Sequence, residues 1–129
     1  MGFIADLFNL RRRQQPRIAV KWWVDVQVPE TQNYVGFLTR DISLPGVRLE
    51  GETSESFRRM LCQDGQARMQ LRVPGHREAF TVQAELKWGM GKTGAFLTGW
   101  RFTRMARQVR GVLRAYIEAH PEEVVQVPR

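Results

Sequence analysis

The chain predicts an all-β fold: a small antiparallel barrel with an amphipathic helix at its C-terminal end and a short helix at its start. Three observations carry this. Apolar and polar residues alternate over successive short segments between Ile18 and Phe102. Turn-forming stretches such as Pro29-Glu30-Thr31-Gln32-Asn33 and Pro74-Gly75 separate them. After Phe102 the apolar period changes to that of a helix.

Taken in order, Phe3, Ile4, Leu7, Phe8 and Leu10 share one broad helical face, with Asp6 and Asn9 opposite. Arg11 to Arg17 follows as a basic linker, and Pro16 biases Gln15 toward extended backbone, so a helix ends before it. From Ile18 to Val28, Val20, Trp22, Val24, Val26 and Val28 point one way and Lys21, Trp23, Asp25 and Gln27 the other, as in a half-buried strand. A second strand runs from Tyr34 to Asp41. Asp41-Ile42-Ser43-Leu44-Pro45-Gly46 makes a tight connection, and Val47 to Leu49 resumes the extended pattern.

Gly51 to Gly65 is polar and irregular, although Phe57, Met60 and Leu61 have the spacing of a helical turn. Three more strands follow. Ala67, Met69, Leu71 and Val73 share a face in the first, Phe80, Val82, Ala84, Leu86 and Trp88 in the second, and Phe96, Thr98, Trp100 and Phe102 in the third. Pro74-Gly75 and Gly89-Met90-Gly91 mark the turns between them. Met105, Val109, Val112, Leu113 and Tyr116 then cluster on one side of a helical wheel, beside a stripe of Arg107, Arg110 and Arg114. His120-Pro121 ends that helix. The expected organisation is an apolar helical segment over 1–10, one domain over 11–120 opening with the linker 11–17, and a tail over 121–129. Closing the strands into a barrel removes their exposed edges.

Twenty basic against 13 acidic side chains give a net charge of +7, which favours an anionic partner. Lone Cys62 excludes an intrachain disulfide and suits a reducing compartment. No stretch nears the roughly 20 apolar residues that span a bilayer. The arginines follow the apolar start, the reverse of a secretory signal, so the expected location is cytoplasmic.

Several motifs carry no chemistry. Gly91-Lys92-Thr93 resembles the end of a phosphate loop, but Leu86 stands where its first glycine belongs and a strand follows. His76 and His120 have no partner at ligand spacing, so no metal is expected. No nucleophile has an evident base and no carboxylate pair stands out, so an enzyme is not expected. Of the tryptophans, Trp22, Trp88 and Trp100 fall on apolar strand faces and are assigned to the core. Trp23 shares its face with Lys21 and Asp25.

Two features remain. Arg13-Gln14-Gln15-Pro16-Arg17 sets two arginines four apart in a non-helical linker, and Asp41-Ile42-Ser43-Leu44-Pro45-Gly46 sets an acid, a hydroxyl and a glycine at one bend. The intervening length suits a hairpin, which brings its two ends together. Arginine's planar fork matches guanine O6 and N7 and also grips phosphate, and aspartate accepts from guanine N1–H and N2–H. Glycine permits a close approach.

These residues resemble the motif of the PilZ family, bacterial receptors for cyclic di-GMP. That motif is an arginine, three residues and an arginine, then Asp or Asn, one residue, Ser, two residues and Gly. Arg13, Arg17, Asp41, Ser43 and Gly46 meet it. The resemblance implies a six-stranded antiparallel barrel with a terminal helix, and a linker that wraps over the ligand. It implies that Arg13 and Arg17 hold guanine and phosphate, while Asp41 and Ser43 read a guanine. Arg12, just before the motif, is the position associated with an intercalated ligand dimer when basic. No cofactor is implied beyond this ligand. The expected function is a receptor that reports occupancy to an unidentified protein partner, with the helix at 3–10 repositioned on closure. The alternatives are a ligand-blind interaction adaptor and a basic nucleic-acid-binding barrel, for which Trp23 beside Lys21 is the one hint.

Overall fold

The structure, a computed structural model, describes residues 16–27, 33–51, 65–92 and 95–124. The helix expected over 3–10, the turn before Asn33 and the helical turn near Phe57 lie outside these residues. The strands are β1 (Arg17–Ile18), β2 (Trp23–Gln27), β3 (Tyr34–Ser43), β4 (Gly46–Gly51), β5 (Gln66–Leu71), β6 (Phe80–Lys92) and β7 (Ala95–Arg104), followed by helix α1 (Arg107–Ala119). All pairings are antiparallel. Around the ring the order is β3, β2, β5, β6, β7, β4, and β4 pairs again with β3, so six strands close on themselves. β1 is a two-residue strand on β3, set beyond the end of β2. The expected barrel with its C-terminal helix is therefore found.

The single strand expected from Ile18 is broken in two. Ile18 faces Ile42 and Trp23 faces Leu38, so one extra residue lies on the first chain between the two pairs. Thr39 fills the gap: its hydroxyl donates to the Val20 carbonyl and accepts from the Trp22 amide at 2.9 Å. A fully buried hydroxyl thus replaces missing ladder bonds. The alternation survives, with Val20, Trp22, Val24 and Val26 all buried.

The core is continuous, and Ile18, Ile42, Leu49, Met69, Leu71, Val82 and Leu113 are nearly or wholly excluded from water. Between β5 and β6, Pro74 and Gly75 turn the chain as their types predict. Gly75 takes φ of 88° and the His76 amide reaches the Val73 carbonyl at 3.2 Å. Gly89-Met90-Gly91 is not the next turn. It lies within β6, which runs on until Lys92 pairs with Ala95. Two flexible glycines in a row of three suggest a bend, but the pairing with Phe96, Leu97 and Thr98 holds them straight.

Helix α1 buries Val109, Leu113 and Ile117, with Val112 and Tyr116 partly covered, and Met105 packs against the core just before it. Its N-cap, Ala106, makes no side-chain cap and Gly111 sits in its middle, so packing supplies the stability that local propensity does not. The Tyr116 ring meets Trp22 edge-on at 4.8 Å, which ties the helix to the barrel. After the helix, Pro121–Glu123 form a 3-10 turn. The Ala19 amide donates to the Glu123 carbonyl at 2.8 Å and Ile18 pairs with Val124.

Candidate ligand-binding site

Asp41 would point into the barrel if β3 alternated without interruption, because Phe37 and Thr39 do. A bulge prevents this. Thr39 pairs with Leu49 but Asp41 pairs with Arg48, so Arg40 is an extra residue and the parity reverses. Ile42 then turns inward, opposite Val47, while Asp41 and Ser43 share the outer face with Arg17, which lies opposite Ser43. One inserted residue moves the acid and the hydroxyl of the bend to the outside of the wall.

On that face Asp41 is covered by arginines, and its side chain keeps only 2% of its exposure. Arg48 grips both carboxylate oxygens, with Nε at 2.9 Å from Oδ1 and 2.8 Å from Oδ2, and Nη2 bonded to Oδ2 as well. These bonds raise the Arg48 pKa against the opposing effect of burial. Arg17 Nε lies 3.6 Å from Oδ1, a looser contact, and its side chain is 41% exposed. The hydroxyl of Ser43 donates to the Gly46 carbonyl at 3.2 Å, which closes the bend at Leu44-Pro45.

Gly46 is where two strands press together. A β-carbon there would collide with the Trp100 carbonyl oxygen across the β4–β7 pair, and a backbone atom cannot swing aside. Gly46→Ala is therefore expected to cost about 1–3 kcal/mol of stability, read as a lower urea midpoint. An unchanged midpoint would mean that the strands do not approach this closely.

A cleft of about 220 Å³ opens beside this cluster, lined by Arg17, Gly46, Arg48, Lys87, Trp88 and Arg101 among others. Trp88 corrects its assignment to the core, being 40% exposed. The cause is again a bulge. Leu86 pairs with Trp100 but Trp88 pairs with Gly99, so Lys87 is extra and Trp88 turns outward. Its indole lies against Gly99, where any β-carbon would strike the ring. Trp22 and Trp100 are buried as expected, and Trp23 is exposed. Arg101 is held by Glu85 at 3.0 Å, with Lys87 at 3.9 Å from the same acid.

Of the residues expected to form a site, the structure brings Arg17, Asp41, Ser43 and Gly46 together; Arg12 and Arg13 lie outside the described residues. Sequence reading missed Arg48, Lys87, Trp88 and Arg101. Counting back across a two-residue bend would have set Arg48 opposite Asp41, but nothing marks Lys87 as a bulge. His120 was expected to lack partners at ligand spacing, yet its side chain and those of Glu122 and Glu123 bring ligand atoms within 4.8 Å of one another. His120 Nδ1 lies 2.8 Å from the Tyr116 carbonyl, and none of the three lines the cleft. Gly91 and Lys92 pair with the strand that returns at Ala95, so no helix follows them to complete a phosphate loop.

The fold has known counterparts. The Bacillus subtilis inhibitor of motility, MotI/DgrA, matches with a TM-score of 0.69 at 19% identity, over 86% of this chain and 51% of that one. The PilZ domain of Escherichia coli YcgR, solved with c-di-GMP, matches with a TM-score of 0.61 at 18% identity, over 86% and 96%. Borreliella burgdorferi PlzA, also solved with c-di-GMP, matches with a TM-score of 0.60 at 9% identity, over 88% and 54%. The chain thus spans about half the length of the Bacillus and Borreliella proteins. No curated protein matches its sequence. The PilZ domain family model matches residues 11–119, so on its sequence as well as on the path of its strands the chain belongs to that family.

Proposed function

We propose that this protein is a receptor for cyclic di-GMP, bound in the cleft lined by Arg17, Arg48 and Trp88, with Asp41 beneath Arg48, and reported to a protein partner. The observation that supports it most directly is the pairing of Arg17 with Ser43, which sets a guanidinium 3.6 Å from the carboxylate of the bend. Family membership and the two c-di-GMP-bound relatives in the same fold lend it weight. In this reading Arg13 and Arg17 close over the ligand, Asp41 and Ser43 read one guanine, and Gly46 holds the bend close against β7. Trp88 offers an exposed aromatic surface among cations, suited to stacking a purine. Arg12 favours a second ligand molecule intercalated with the first, giving two per chain.

Calorimetric titration of the full chain with cyclic di-GMP, GTP, cyclic di-AMP and a short oligonucleotide tests this. Heat from cyclic di-GMP alone, saturating at two per chain, is expected. Saturation at one removes the dimer, and oligonucleotide binding as tight as that of cyclic di-GMP removes the receptor reading. Trp88→Ala is expected to weaken binding by about 1–3 kcal/mol, the worth of one stacked base. Undiminished affinity would take Trp88 out of the site.

A further inference from the structure

In the structure, the carboxylate that is to read guanine is already fully engaged. Arg48 binds both oxygens of Asp41, and the side chain is almost sealed from water. A guanine edge cannot donate N1–H and N2–H to it while that fork is in place. Arg48, by contrast, keeps 28% of its side-chain exposure and lines the cleft. It has room to move where Asp41 has none.

We propose that Arg48 is the specificity-determining residue of the site: it is a lock on Asp41 that opens only to a ligand carrying a guanine edge and a phosphate together. The inference rests on the receptor reading above. Opening breaks the Arg48–Asp41 pair and must satisfy two groups at once. The guanine N–H donors replace the fork on the carboxylate, and a ligand phosphate takes the released guanidinium. A guanine without phosphate leaves Arg48 without its anion inside a partly desolvated cleft. A phosphate without guanine leaves Asp41 buried and bare, which is the costlier error. An adenine edge fails like bare phosphate, because it lacks the paired donors. The cleft cations Arg17 and Lys87 make the released guanidinium's position more strongly positive, so an anion must arrive with the base. Discrimination between ligands therefore lies in the exchange of a counter-ion as well as in the fit of the pocket.

The test follows the Arg48 Nε–Hε signal by nitrogen-15 NMR on the full chain, assigned by its loss in Arg48→Lys. Cyclic di-GMP is expected to move the signal, while guanosine alone and inorganic phosphate alone at the same concentration leave it in place. In Asp41→Asn the signal is expected already at the position of an exposed arginine without ligand, and phosphate alone is expected to move it. Calorimetric binding of cyclic di-GMP with the Arg48 signal unmoved would overturn the lock while leaving the receptor reading intact. A wild-type signal moved by phosphate alone would overturn it equally. Absence of any cyclic di-GMP heat would sink the receptor reading, and the lock with it.

Discussion

Arg17→Ala is expected to remove most binding of cyclic di-GMP while the protein stays folded. Truncating one partner of a hydrogen-bonded charge pair in a partly desolvated site costs about 2–5 kcal/mol. At about 1.4 kcal/mol per decade, affinity falls by roughly 30- to 4,000-fold. The fold is expected to tolerate the change. Arg17 contributes one loose contact at 3.6 Å to Asp41, whereas Arg48 supplies the close ones. Calorimetry beside a thermal melt separates the two effects. Retained affinity with an unchanged melt would place the ligand elsewhere.

Leu113→Ala is expected to be the most damaging of these changes to stability. Leu113 is wholly buried at the centre of the α1 face that meets the barrel. Removing most of its side chain loses transfer energy and leaves a cavity, together about 2–5 kcal/mol. In a domain of this size that lowers the melting temperature by roughly 7–18 °C. The helix has little to fall back on, since Ala106 caps nothing and Gly111 weakens its middle. A shift under two degrees would mean that the barrel core stands without α1.

How much could be read beforehand follows from what strand parity can and cannot reveal. Alternation identified the inward faces of β2, β5 and β7, because each keeps its period for at least five residues. Pro74-Gly75 announced its turn because only glycine takes that φ easily. Parity fails wherever one residue is inserted, and the insertions that redirect the site are Arg40 and Lys87, chemically ordinary residues on β3 and β6. That is why Trp88 was assigned to the core and its neighbours in the cleft went unseen. Asp41 was singled out by its motif alone. A reading by alternation would have buried it on the inner side, beside Thr39.

The clasp of Ala19 and Ile18 on Glu123 and Val124 has a practical meaning. The exit of the helix is fastened beside the strand that starts with Arg17, so the entry to the barrel and the exit of α1 share one anchor. A label or fusion placed directly behind Val124 would load that anchor and report on events at the arginine. For the same reason, trimming the chain back to the last helical turn would loosen the arginine's own footing.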